Sequence, residues 1–140
     1  MISLAALFLF YLFLKSISSR SVAIIASVYY GFSVTFLNYA DSASTQPLTI
    51  FFTFLILYLS VLATRLPAQR KYNLAIWIAY LALSLSSYDA TFFIFAWLVL
   101  YDTVILKKFL WRKWLFLALA PIFGFALQIL QNMWYLGATE

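Results

Sequence analysis

The sequence predicts an all-α fold, a polytopic bundle of about six transmembrane helices of which the first is truncated. Hydrophobic residues make up 66% of the 140 residues, charged residues only 9%, and the mean hydropathy is +0.99. A soluble domain of this length needs far more polar surface to cover its core. Most apolar runs have roughly 16 to 23 residues and lack the strict alternation of a barrel strand, so they suit helices that cross a bilayer.

The first two predicted helices cover residues 1–14 and 21–37. The first run is shorter than the ~20 residues that span the hydrocarbon layer, so we expect it to be the end of a longer helix that begins upstream of Met1. It has no basic start and no small-residue cleavage site, so it does not fit a signal peptide. Residues 15–20 form a first basic break.

The third predicted helix covers residues 47–64. Pro47 stands in its first turn, where the missing N–H costs nothing. Thr45 or Ser44 is the expected N-cap. A second basic break, residues 65–71, follows.

The remaining predicted helices cover residues 72–87, 90–106 and 114–136. Tyr88-Asp89 is the expected tight turn between the fourth and the fifth. The third basic break, residues 107–113, separates the fifth from the sixth.

The sixth predicted helix carries two packing features. Pro121 lies in its interior and is expected to kink it. Ala120 and Gly124 are small residues four positions apart, a spacing that lets a neighbouring helix approach closely.

The basic residues predict the orientation. All nine Lys and Arg fall in the breaks after the first, third and fifth helices. The positive-inside rule makes these breaks cytoplasmic and turns the alternate breaks and the N-terminus outward. The net charge of +5 therefore indicates contact with the lipid bilayer and not with nucleic acid. We expect a multi-pass protein of a plasma or inner membrane, or of the endoplasmic reticulum.

The residue types narrow the possible chemistry. The chain has no Cys and no His, which excludes thiol nucleophiles, imidazole bases and Cys/His zinc sites. Its four acids are the strong candidates for a general base or a hard-metal ligand: Asp41, Asp89, Asp102 and Glu140.

Residues 38–47 form the longest polar break without a basic residue and are the first candidate site. Tyr39, Asp41 and Gln46 lie in it. Asp41 could hold a divalent cation, because hard cations take carboxylate oxygen, and Gln46 could hydrogen-bond a sugar or a phosphate. The alternative is a solvated turn that caps the third helix.

Two further acids have open roles. Asp89 opens the fifth helix in the same outer layer and is either a substrate contact or an N-cap. Asp102 lies one turn from the inner end of that helix. It is either a functional intramembrane carboxylate or a group that reaches the interface and the charges of Lys107 and Lys108.

A polar stripe follows the outer half of the sixth helix. Gln128, Gln131, Asn132 and Tyr135 fall at i, i+3, i+4 and i+7 and so share one face. The stripe either lines an outward-facing cavity or supplies interhelical hydrogen bonds.

Three stretches together carry a resemblance to a known family. From Tyr39 to Leu55 an aromatic residue, small or polar residues and an acid precede a Leu/Phe-rich helix. Consecutive short helices over residues 81–106 lead into the basic break, and the Pro121 helix ends in Gln131–Gly137. This layout resembles the GT-C superfamily of membrane glycosyltransferases, in particular the dolichyl-phosphate-mannose protein mannosyltransferase and aminoarabinose transferase type.

The resemblance implies a fragment that covers helices two to seven of such an enzyme and is inactive alone. It implies sugar transfer from a polyprenyl-phosphate carrier to an acceptor on the outer face, possible use of a divalent metal ion bound by Asp41, and a main catalytic acid upstream of Met1. The substrate contacts would be Tyr39, Asp41, Gln46, Asp89, Gln128, Gln131, Asn132 and Tyr135. The alternative function is a non-enzymatic transporter subunit or membrane scaffold.

Overall fold

The computed structural model describes residues 1–40, 45–65, 69–109 and 111–137, and these ranges are helical with no strand. The predicted all-α class is confirmed. A short π-helical segment, Tyr101–Ile105, directly follows the sixth α-helix. The α-helices are α1 Ile2–Ile17, α2 Arg20–Gly31, α3 Val34–Ala40, α4 Gln46–Arg65, α5 Gln69–Ser86, α6 Tyr88–Leu100 and α7 Trp111–Gly137.

Two of the described helices are long and apolar enough to cross a membrane. They are α4, and α7 over Trp111–Tyr135, with mean hydropathies of 2.0 and 1.8. α1 is apolar but shorter. Length and composition thus support two of the six predicted spans, and the other spans stay a prediction.

The second predicted helix consists of two helices, which hydropathy alone did not predict. α2 ends at Gly31 and α3 begins at Val34. Ser33 stands in the break, and its Oγ accepts a hydrogen bond from the backbone N–H of Phe36 (3.1 Å). This is the bond of a serine N-cap, so Ser33 starts a new helix where hydropathy alone predicts continuation.

The predicted turn at Tyr88-Asp89 is wrong by one position. Ser87 alone separates α5 from α6, and its Oγ accepts a hydrogen bond from the N–H of Ala90 (3.4 Å). Tyr88 and Asp89 already belong to the first turn of α6. Ser87 is the N-cap because its short side chain satisfies a backbone donor that the new helix leaves open.

The ends of α4 and α7 agree closely with the prediction. Pro47 lies in the first turn of α4, and the carbonyl of Thr45 accepts a hydrogen bond from the N–H of Thr49 (3.0 Å). Ser44 lies outside the described residues. α7 continues through Pro121 as one helix, and the kink expected there stays a prediction.

The chain divides into two compact units, Met1–Ala79 and Tyr80–Glu140. The predicted single transmembrane domain stays a prediction. In the first unit the rings of Phe10, Tyr30 and Phe54 pack together, with the Phe10 centroid 4.9 Å from Tyr30 and 4.7 Å from Phe54.

In the first unit a hydrogen bond joins the C-terminal ends of α1 and α4. Arg65, the last residue of α4, donates a hydrogen bond from Nη2 to the carbonyl oxygen of Ser16 near the end of α1. The basic residues Lys15 and Arg65 therefore lie at the same end of this unit.

In the second unit a close contact joins α5 and α7. Ser84, Ala120 and Gly124 are all buried, and the Ser84 Oγ lies 3.5 Å from the carbonyl oxygen of Ala120. The predicted small-residue contact is confirmed. α5 also contacts α6, because the hydroxyl of Tyr80 donates to the carbonyl oxygen of Thr91 (2.7 Å).

Gly124→Ala tests this contact. A Cβ at position 124 would overlap the Oγ of Ser84 and lie 3.0 Å from its Cβ. We expect a loss of about 1–3 kcal/mol in the free energy of unfolding, because overpacking displaces backbone and side chains. Denaturant titration of the detergent-solubilised protein, followed by circular dichroism, measures it.

The matched control is Gly137→Ala, since a Cβ at Gly137 would meet no atom within 4 Å. Adding Ser84→Ala to Gly124→Ala should recover part of the loss. Equal stability of the two alanine variants would contradict close α5–α7 packing.

Candidate functional site

The predicted site residues of the second unit lie around the start of α6 and the second half of α7. Asp89 is exposed in the first turn of α6, where the helix dipole favours a carboxylate. It is not the N-cap, as the alternative interpretation had it, because Ser87 holds that position. The Asp89 side chain is therefore not committed to capping.

The polar stripe on α7 divides into two parts. Gln128 is half-buried and donates a hydrogen bond from Nε2 to the carbonyl oxygen of Leu85 (3.2 Å). Leu85 lies in the last turn of α5, so Gln128 fills the interhelical role. Gln131 and Asn132, one turn farther along the same face, are exposed.

Tyr135 continues this face for one more turn and is also exposed. It takes part in further interactions within the chain. The stripe thus presents two amides and a phenol beyond the level at which α5 ends.

Asp89 and the exposed amides lie at the same end of the second unit. The other end of α6 is joined to the start of α7, because Asp102 pairs with Lys113. Phe92 and Phe95 of α6 line one cavity together with Ile122 and Phe125 of α7, so the first half of α6 lies beside the middle of α7 and the two helices run in opposite directions. We call Asp89, Gln131 and Asn132 the polar rim.

An apolar cavity that is open to the surface lies farther along α6 and α7, and its lining residues Phe92, Ile122 and Phe125 are exposed. Its volume is about 570 Å³, and no polar surface faces it. Phe92 follows Asp89 by three residues on α6, and Phe125 precedes Asn132 by seven on α7, so each ring lies on the face of a rim residue. The lining residues are Tyr80, Phe92, Phe95, Ala118, Pro121, Ile122 and Phe125.

The predicted site residues of the first unit are only partly described. Tyr39 belongs to the last turn of α3. Gln46 is the first residue of α4; it is exposed and takes part in interactions within the chain. Asp41, the proposed metal ligand, lies outside the described residues.

The described residues do not form a metal site. No group of three or more His, Cys, Asp or Glu occurs among them. The two described acids, Asp89 and Asp102, stand 13 positions apart at opposite ends of α6 and its π-helical extension, roughly 20 Å by helical rise. These two carboxylates therefore cannot share one cation.

Asp102 is a buried carboxylate with two side-chain partners. Its side chain is 0% exposed. Lys113 Nζ lies 2.9 and 2.8 Å from its two carboxylate oxygens, and the indole Nε1–H of Trp114 donates to Oδ2 (2.9 Å). A buried carboxylate needs such partners, because desolvating an unpaired charge costs several kcal/mol.

The expected partners of Asp102 were wrong. Lys107 and Lys108 were predicted from their nearness in sequence, yet both are exposed and Lys113 makes the ion pair. The π-helical segment turns the chain after Asp102, and the N–H of Lys108 donates to the Asp102 carbonyl oxygen (2.9 Å). The sequence places an acid near several cations, but it does not indicate which cation forms the ion pair.

Asp102→Leu tests the buried ion pair. The substitution leaves the Lys113 ammonium, whose side chain is 21% exposed, without its counter-ion. We expect the free energy of unfolding to fall by about 3 kcal/mol or more. Denaturant titration with tryptophan fluorescence measures the change.

The double variant Asp102→Leu/Lys113→Met should recover most of that loss, since it removes both charges together. Asp89→Asn is the control for an exposed acid and should change stability by less than about 1 kcal/mol. Equal losses in the single and double variants would show that the two residues are not coupled.

Comparison with known proteins finds no matching family model, no similar curated protein and no similar solved structure.

Proposed function

We propose that this chain is a multi-pass membrane protein and part of a glycosyltransferase that moves a sugar from a polyprenyl-phosphate carrier to an acceptor on the outer face. The basic breaks are cytoplasmic in this proposal, and the polar rim faces outward. The residues of the chain bind and orient the carrier-linked sugar.

The apolar helices support the membrane part of the proposal. α4 and α7 have the length and hydropathy of membrane spans. Large apolar side chains are exposed along α7, among them Leu119, Ile122 and Phe123. In water such a face would be an unusually large apolar patch, whereas lipid tails would cover it.

One observation carries the glycosyltransferase part: the polar rim and the apolar cavity occupy the same faces of α6 and α7. A polyprenyl-phosphate sugar has a hydroxyl-rich head and a long apolar tail. The amides of Gln131 and Asn132 can donate to and accept from hydroxyl groups, and the Asp89 carboxylate can accept from them. The aromatic cavity offers the tail an apolar surface.

The remaining predicted contacts belong to the same proposal. Tyr39, Gln46 and Tyr135 would contact the donor, and Asp41 would hold the divalent cation beside its phosphate. Gln128 is not assigned to the sugar donor, because its amide already donates a hydrogen bond from α7 to α5. We therefore assign it to positioning α7.

Cysteine labelling tests the proposed orientation, because the native chain has no cysteine. Gln131→Cys should react with a membrane-impermeant maleimide added to intact cells. Lys108→Cys should react only after the membrane is permeabilised. Both side chains are exposed on the surface of the chain, and the proposal places each of them in water on its own side of the membrane.

The reversed pattern would contradict the proposed sidedness. Reaction of both thiols in intact cells would contradict a membrane-spanning α7. Labelling of both variants in detergent serves as the control for thiol reactivity.

Sugar transfer by the complete gene product in native membranes tests the function. Asp89→Asn and Asn132→Leu should each lower transfer from a labelled polyprenyl-phosphate sugar by about tenfold, as the loss of a hydrogen bond worth ~1.5 kcal/mol predicts. Asn73→Leu is a control amide substitution in the first unit, outside the proposed contacts, and should leave transfer unchanged. The rim assignment fails if all three variants retain wild-type transfer, and the enzyme assignment fails if the wild type transfers no sugar.

A further inference from the structure

A second polar surface lies at the opposite end of α6 and α7 from the polar rim. We call residues 107–109 and 111–113 the basic turn. Lys107, Lys108 and Arg112 are exposed there, whereas Lys113 is half-buried. Because Asp102 neutralises Lys113, the turn presents three cations and not four.

No acid balances these three cations in the described part of the second unit. Asp102 is committed to Lys113, and Asp89 lies at the other end of α6. Arg112 instead lies over the ring of Trp111, with its guanidinium carbon 5.4 Å from the ring centroid. A ring leaves the cationic charge in place, so an anion can still bind.

Hydrogen bonds hold the backbone of the turn in one shape. The N–H of Leu106 donates to the Tyr101 carbonyl oxygen (3.0 Å), and that of Lys108 donates to the Asp102 carbonyl oxygen (2.9 Å). Between them Lys107 adopts a left-handed conformation with φ 51°, which is uncommon for a residue with a Cβ. A fixed backbone spares part of the ordering cost when the cations bind a ligand.

Exposed rings accompany the cations. The side chains of Phe109 and Trp111 are 75% and 51% exposed. Phe109 packs edge-on against Trp114, with centroids 4.8 Å apart, and Trp114 is itself bonded to Asp102. Aromatic rings beside Lys and Arg at the end of an apolar helix are typical of the bilayer interface.

We propose that the basic turn binds the phosphate of an anionic phospholipid headgroup. Arg112 would contact phosphate oxygens through two N–H groups, and Lys107 and Lys108 would add point charges. Phe109 and Trp111 would lie among the glycerol and upper acyl groups. The rings and the adjoining apolar helices favour a bilayer lipid over nucleic acid, which offers no apolar layer. This proposal needs only a membrane-embedded α7 and is independent of sugar transfer.

Lipid enrichment tests the proposal directly. The purified chain is incubated in detergent with equal amounts of phosphatidylglycerol and phosphatidylcholine, and the lipids that co-purify are quantified by mass spectrometry. We expect phosphatidylglycerol to be enriched at least about fivefold, the ratio that ~1 kcal/mol of attraction gives. In Lys107→Gln/Lys108→Gln/Arg112→Gln the enrichment should disappear.

The matched control is Lys15→Gln/Arg20→Gln/Lys71→Gln, which removes the same charge from other exposed positions. It should keep the enrichment. Equal loss in both triple variants, or no enrichment in the wild type, would overturn the proposal. If the basic-turn variant does not fold, the charge-retaining Lys107→Arg/Lys108→Arg/Arg112→Lys must keep the enrichment, and rising salt must abolish it in the wild type.

Two competitors distinguish the lipid from other phosphate sources. Inorganic phosphate and a short oligonucleotide are added separately, each at constant ionic strength. The proposal predicts that neither reduces the enrichment of phosphatidylglycerol. Loss of enrichment with inorganic phosphate would indicate a free-anion site, and loss with the oligonucleotide would indicate a nucleic-acid site; either result overturns the proposal.

Discussion

The arrangement of the second unit depends on the buried bond between Asp102 and Lys113. A carboxylate with no exposure is tolerated only with partners, and the Lys113 ammonium and the Trp114 indole supply them. The bond fixes the last turn of the α6 region to the first turn of α7. Together with the packing of Phe92 and Phe95 beside Ile122 and Phe125, it leaves the start of α6 at the opposite end of the unit from the basic turn.

The second unit, held by this ion pair, has two ends that differ in chemistry. At the Asp102 end the ion pair removes one cation from the basic turn and leaves Lys107, Lys108 and Arg112 facing outward. At the other end the polar rim exposes one carboxylate and two uncharged amides. The close contact of Ser84 with Ala120 holds α5 against α7. The unit can therefore present anion-binding groups at one end and hydroxyl-binding groups at the other.

Hydropathy and local chemistry predicted most of the helices and failed at particular serines. The apolar runs located α4 and α7 within a few residues, and Pro47 lies in the first turn as expected. Ser33 and Ser87 are weak signals in a sequence, yet each caps a new helix through its Oγ. The partner of Asp102 was also unpredictable, because the fold of the chain after the π-helical segment, and not distance in sequence, brings Lys113 to it.

The end of α5 determines which part of the polar stripe on α7 is exposed. The i, i+3, i+4 and i+7 spacing correctly indicates one polar face on α7, but periodicity does not tell where a neighbouring helix stops. α5 ends at Ser86 because Ser87 caps α6. Gln128 lies at that level and bonds to Leu85, whereas Gln131 and Asn132 lie beyond it and remain exposed. The position of one serine between α5 and α6 thus separates the packing part of the stripe from the part that a ligand can reach.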